Sequence, residues 1–275
     1  MLLGAHCSIS GGLENACKEA GQLNMNCLQI FTKNQRQWRE KEIKPDEAET
    51  FKLEMKRNKI LVAYSHTTYL INLAAADIEI REKSIISLAA ELIRCDVLDI
   101  PYAVLHPGSN RDISPKDAIK RIAEGLKMVF SHTRELKSSI LLENTAGQGS
   151  SIGRNFEQIN EIIELTEEDS IGMCFDTCHA FAAGYPIHTQ EGFDTTFEEI
   201  DKTVGLHRLK GFHLNDSKGS LGSRLDRHEG IGKGQIGLLP FQNIMKNFSD
   251  TPKFIETPKE NDMDKVNLQI IRGLT

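Results

Sequence analysis

The chain has 275 residues, 39% of them apolar and 26% charged, and a formal net charge of −6. These values fit a soluble globular protein built as one α/β barrel or two ordinary domains, and they exclude a disordered chain. No stretch nears the ~18 consecutive apolar residues of a membrane span, and the opening MLLGAHCSISGG lacks the basic and apolar regions of a signal peptide.

From the N-terminus onward, one unit recurs without sequence identity. A short apolar run ends in a polar residue, and a loop and an amphipathic helical stretch follow. The runs span residues 2–6, 27–32, 61–66, 102–106, 140–143, 171–176, 209–213 and 253–256. They are nearly continuous rather than alternating, as in parallel strands covered on both faces. Between them, Ser114-Pro115-Lys116-Asp117 supplies an N-cap, a first-turn proline and an acid. Ile85, Leu88, Ala89 and Leu92 mark one helical face, and Phe156, Ile159 and Ile163 another. No linker or composition shift divides the chain. The pattern predicts a single (β/α)₈ TIM barrel over residues 1–275, with its site at the carboxyl ends of the strands.

Seven of the eight runs end in His, Asp or Glu: His6, His66, His106, Glu143, Asp176, His213 and Glu256. Only the second ends otherwise, in Phe31-Thr32-Lys33. Any one of the histidines could be a satisfied core residue, but chance would supply only a few such endings. Glu143 and Glu256 each follow an apolar strand, where a carboxylate is costly to bury unless it is paired or bound to metal. His179 follows Asp176 by three residues and is placed in the loop. The stretch 209–234 adds Asp226 and His228 on a Gly- and Ser-rich loop. Such a mixture of N and O donors suits a borderline cation such as zinc.

Other residues read more plainly. His6 is expected to orient a ligand or water, and His132, His188 and His207 to be solvated. Six cysteines without a CxxC pair read as reduced thiols, and Cys178 is a weaker ligand candidate than His179. Gly232 to Gly237 match GxGxxG, but charged residues precede them where a dinucleotide fold needs a strand, so they read as loop punctuation.

The runs GAHCSISGG, FTKNQRQW, HTTYLINLA, LHPGS, LLENTAGQG, FDTCHAFAAGY, HLNDSKG, GSRLDRHEGIGKG and IETP resemble the motifs of the endonuclease IV family of apurinic/apyrimidinic endonucleases. The likeness runs in order from Gly4 to Glu256. It implies a zinc-dependent enzyme that cleaves duplex DNA 5′ to abasic sites, leaving a 3′-hydroxyl and a 5′-deoxyribose phosphate, with removal of 3′-blocking groups as a further activity. It implies three zinc ions: one on His66, His106 and Glu143; a second on Glu143, Asp176, His213 and Glu256; a third on His179, Asp226 and His228. Glu143 and Glu256 would be catalytic. Asn34, Gln35, Arg36, Tyr69 and Arg227 would contact DNA, with Arg36 and Tyr69 filling the space left by an extruded nucleotide. The protein would act as a monomer in the cytoplasm, nucleoid-associated if the host is bacterial.

Charge is consistent with that reading. Three divalent cations against four carboxylates leave two positive charges at the site, and over the whole chain they offset the formal −6. Two alternatives stand beside it. A barrel sugar isomerase or epimerase would share strand-end ligands, but it has no use for the extra Asp226, His228 and His179 donors. A non-catalytic protein binding damaged DNA would not need the full ligand set.

Overall fold

The computed structural model describes residues 1–39 and 41–274. In chain order its strands are β1 (Leu3–Ala5), β2 (Cys27–Ile30), β3 (Val62–His66), β4 (Tyr102–Leu105), β5 (Ser139–Glu143), β6 (Gly172–Asp176), β7 (Leu209–His213), β8 (Asp216–Ser217), β9 (His228–Glu229) and β10 (Lys253–Ile255). Eight of them pair side by side, all parallel, in the order β1, β10, β7, β6, β5, β4, β3, β2. The remaining two, β8 and β9, form a short antiparallel pair. The outer strands of the sheet meet in turn. His6 bridges Gln29 in parallel, and the Cys7 N–H donates to the Gln29 carbonyl at 2.7 Å. The sheet thus closes on itself as the TIM barrel the runs predict.

The helices are α1 (Leu13–Gln22), α2 (Pro45–Arg57), α3 (Ile78–Val97), α4 (Pro115–His132), α5 (Phe156–Thr166), α6 (Thr177–Ala183), α7 (Gln190–Thr203), α8 (Leu239–Asn247) and α9 (Met263–Arg272). The predicted apolar faces are the ones that pack. Ile85, Leu88, Ala89 and Leu92 of α3 are buried, as are Phe156, Ile159 and Ile163 of α5. Burying each large side chain contributes about 1.5–3 kcal/mol. Ser114 caps α4 by accepting the Asp117 N–H at 3.1 Å, worth about 1 kcal/mol. Among the described residues no helix is long and apolar enough to cross a membrane.

Inside the barrel, Cys27, Tyr64, Val104, Leu141, Cys174 and Phe254 form one plug, each from a different strand. β1 passes so close to β2 that a Cβ at Gly4 would lie 1.9 Å from the Cys27 carbonyl oxygen. Only glycine allows that approach. The plug seals the barrel beneath its mouth, so polar side chains at the strand ends share one basin above it.

Candidate metal centre

The strands stop within a residue of the predicted polar endings, and their side chains converge. Among the described residues the predicted ligands fall into three groups of donor atoms, each with its members within 4.8 Å of one another: His66, His106 and Glu143; Glu143, Asp176, His213 and Glu256; and His179, Asp226 and His228. Glu143 joins the first two. One of its oxygens lies 3.2 Å from His66 Nε2 and 3.0 Å from His106 Nε2, the other 2.9 Å from His213 Nδ1. The third group comes from the long loop after β7. The β8–β9 pair folds this loop back, and the Asp226 N–H is held by Gln148 Oε1 at 3.0 Å. Asp226 Oδ1 then sits 3.2 Å from His179 Nε2 and 3.4 Å from His228 Nε2.

The imidazoles are oriented from behind. A main-chain carbonyl can only accept, so the nitrogen facing it carries the proton. Thr67 O lies 2.8 Å from His66 Nδ1, Asn144 O 2.9 Å from His179 Nδ1, and Glu256 O 3.2 Å from His228 Nδ1. Each of these rings therefore leaves Nε2 as the nitrogen free to ligate a metal, facing Glu143 from His66 and Asp226 from His179 and His228. His179 Nδ1 also lies 3.2 Å from Glu143 Oε1.

The electrostatics point the same way. Burial works to raise the Glu143 carboxyl, yet the charges of His213 and His106 and hydrogen bonds from His106 and His179 hold it well below the usual range. Glu256 is likewise held low, against burial, mainly by His213 and His6. Asp226 is pulled to about 2, against its burial, by hydrogen bonding to His179 and by neighbouring imidazoles. Glu143 and Asp176 are sealed from solvent, where an ionised carboxylate needs a cation. His228 Nε2 is buried without a hydrogen-bond partner. An orphaned lone pair among buried carboxylates fits metal ligation by these groups.

Cys178 also comes within reach of Asp176 and His228. Its Sγ faces the Arg227 carbonyl at 3.7 Å, and burial pushes the thiol up to about 12. It remains the poorer donor.

Two loops flank the basin on the side of β2 and β3. Asn34 turns the first by accepting the Arg36 N–H at 2.9 Å, an Asx turn. Arg36 and Asn34 are exposed and Gln35 is half-buried. Tyr69, in the second loop, is 66% exposed, with its ring 5.6 Å from that of His66. Arg227 is exposed on the opposite side, between Asp226 and His228.

Residues 15–274 match the family model of the xylose isomerase-like TIM barrel. "Probable endonuclease 4" of Citrifermentans bemidjiense is 45% identical over 278 residues, covering 99% of this chain and 98% of its own. This chain belongs to the endonuclease IV family of nucleases. The crystal structure of endonuclease IV from Thermus thermophilus superposes with a TM-score of 0.88 at 35% identity, covering 100% of this chain and 98% of that one. A D-tagatose 3-epimerase-like protein shares the fold alone, with a TM-score of 0.79 at 18% identity over 100% of this chain and 97% of that one.

The fold departs from the sequence expectations in several places. His179 lies in the first turn of α6, not in a loop. The Asp176 carboxylate accepts the His179 N–H at 2.7 Å and caps that helix, so one acid both ends the strand and starts the helix. Lys33 is turned inward, with Nζ 3.3 Å from Ser87 Oγ, whereas Arg36 is exposed. His132 and His207 are exposed, but His188 is half-buried, its ring edge-on to Phe181 at 5.4 Å. The GxGxxG glycines are loop punctuation with a purpose: the N–H groups of Gly232 and Gly234 both donate to the buried Asp216 carboxylate.

Three residues that support the candidate centre escaped the sequence reading. Asn144 and Asn215 clamp Asp176. Asn144 pairs with its main chain at 2.8 and 3.0 Å, and Asn215 Nδ2 donates to its carboxylate at 2.7 Å. Both asparagines closely follow a strand-end motif and left no periodic signal. Gln29 left one, as the single polar residue in the run Cys27-Leu28-Gln29-Ile30-Phe31. The second strand, which ends in no acid or histidine, contributes to the basin through it.

Proposed function

We propose that this protein is a zinc-dependent repair endonuclease that hydrolyses the phosphodiester 5′ to abasic sites in duplex DNA. Its products are a 3′-hydroxyl and a 5′-deoxyribose phosphate, and the same site removes 3′-blocking groups. The observation that carries the reading is the partition of nine imidazole and carboxylate side chains into three groups around one basin, two of them joined by Glu143.

His66, His106 and Glu143 would hold one zinc, Glu143, Asp176, His213 and Glu256 a second, and His179, Asp226 and His228 the third. When bound, zinc supplies a Lewis acid that lowers the pKa of water to ~7 and neutralises phosphoryl charge. The protein's own groups do the rest. Glu143 fixes the spacing of the first two groups. Within its group Glu256 is the carboxylate that solvent reaches, its side chain 16% exposed against 0% for Glu143, and it orients the attacking water. Arg227 meets a phosphate of the scissile strand. Arg36 and Tyr69 enter the minor groove and take the space of the extruded nucleotide, with Asn34 and Gln35 on the adjacent backbone. A missing base makes extrusion cheap, so selection rests on deformability and not on base edges. The protein works as a cytoplasmic monomer, nucleoid-associated if bacterial.

Metal analysis of the purified protein, paired with nicking of an abasic oligonucleotide duplex, tests the proposal. Three zinc equivalents and EDTA-sensitive nicking are expected. Turnover of a ketose without nicking would establish an isomerase or epimerase instead, and abasic-DNA binding without any nicking would leave a binding protein.

A further inference from the structure

Gln29 is sealed from solvent inside the barrel rim, where its carboxamide touches three side chains from three other parts of the chain. Nε2 lies 2.6 Å from Glu256 Oε1 and 3.0 Å from His6 Nδ1, and Oε1 lies 2.8 Å from His213 Nε2. The donor and acceptor roles follow by elimination. An ionised carboxylate only accepts, so the amide NH₂ must face Glu256 and the amide oxygen must face His213. His213 must then donate through Nε2–H. Nδ1 is left as the nitrogen that can offer a lone pair to a metal, and it points at Glu143 Oε1 at 2.9 Å and Glu256 Oε2 at 3.3 Å. The second amide hydrogen goes to His6 Nδ1, which places the His6 proton on Nε2.

His213 is thus the exception among the oriented imidazoles. His66, His179 and His228 have Nδ1 fixed by a main-chain carbonyl and Nε2 turned to a carboxylate of their own group, although His179 Nδ1 also lies 3.2 Å from Glu143 Oε1. His213 presents Nδ1 and is fixed by a side chain. The same amide aims one oxygen of Glu256, leaving the other directed at the basin.

We infer that Gln29 is a positioning residue of the centre, setting which nitrogen His213 offers to metal and which way Glu256 faces. The inference rests on the reading of His213 and Glu256 as zinc ligands. Contacts behind a ligand typically change metal affinity or activity by about 10–100-fold when removed.

The test compares Gln29→Met, which keeps the bulk and removes both hydrogen-bonding roles, with Gln29→Glu. The latter keeps an acceptor for His213 but turns an oxygen toward Glu256. Chelator competition should show one zinc equivalent bound about 10–100-fold more weakly in Gln29→Met. Nicking should lose kcat at nearly unchanged KM, because Gln29 does not reach DNA. In ¹⁵N-histidine-labelled protein the hydrogen-bonded Nε2–H resonance of His213 should be sharp in the parent, persist in Gln29→Glu and vanish in Gln29→Met. A purely space-filling role would leave that resonance in place. Unchanged zinc affinity together with an unchanged His213 resonance in Gln29→Met would overturn the inference. If the parent protein binds no zinc, the metal reading fails by itself, and the same resonance in metal-free protein still decides whether Gln29 holds the ring. Should Gln29→Met not fold, Gln29→Glu decides. Full zinc affinity and kcat there would remove Gln29 from the alignment of Glu256.

Discussion

The Thr68 hydroxyl donates to the Gln35 main-chain carbonyl at 2.5 Å, tying the loop after β2 to the loop after β3. This bond places Arg36 and Tyr69 on one rim of the basin. The base of the first loop is anchored separately, since the Thr32 hydroxyl lies 2.8 Å from both the buried Glu91 carboxylate and Arg94 Nε.

Thr68→Val should therefore release the tip of the loop without unfolding its base. The stability cost is about 1 kcal/mol, that of one hydrogen bond. Affinity for an abasic duplex, read by fluorescence anisotropy, should fall several-fold, in the direction of the larger loss in Arg36→Ala. Metal content should not change in either variant. A fall in zinc would place these loops in the support of the centre.

Glu143 and Asp226 differ in how many groups they serve. Glu143→Ala removes a member of two groups and should cost about two metal equivalents, whereas Asp226→Ala should cost about one. Mass spectrometry under native conditions counts them. Equal losses would rule out the bridging role of Glu143.

Glu256→Gln keeps the size of the side chain and removes its charge. Nicking of an abasic duplex should be abolished, while duplex binding stays within about twofold, because the contact loops are elsewhere. Full activity in this variant would remove Glu256 from the chemistry.

Lys253 opens β10 inside the protein, its Nζ donating to the carbonyls of Thr251 at 2.7 Å and of Phe248, and lying 5.9 Å from the Phe212 ring centre. Burial pushes its amine down to about 8, from 10.5 in an open chain. Between those values the unfolded chain binds more protons than the folded one, so stability rises with pH across the window. The charged-state penalty is fully present below pH 8 and amounts to roughly 3 kcal/mol. Urea unfolding of the parent relative to Lys253→Met should show the parent gaining stability as pH rises from about 8 to 10.5. A pH-independent difference between the two would mean that Lys253 titrates normally in the fold.

Much of this architecture was legible in the order of residues. Apolar runs of strand length, each followed by a helical face such as Ile85–Leu88–Leu92, dictate alternating strands and helices, because burial of those faces leaves few other layers. The acids and histidines at the run ends were visible for the same reason: a charge after a buried strand is expensive unless something compensates it. Their number, with the Asp226 and His228 pair, was enough to point to a metal site, while three ions were what the family resemblance implied.

Only the folded chain decided how these groups are aimed. Which imidazole nitrogen faces inward depends on the neighbouring Thr67 carbonyl for His66, and for the other rings on the Asn144 and Glu256 carbonyls and the Gln29 amide, each brought there by folding from a distant part of the chain. The inward turn of Lys33 and the clasp of Gly232 and Gly234 around Asp216 likewise join groups that no local period connects. Periodicity reports which face is buried. Hydrogen-bond direction depends on partners that closure of the barrel alone brings together.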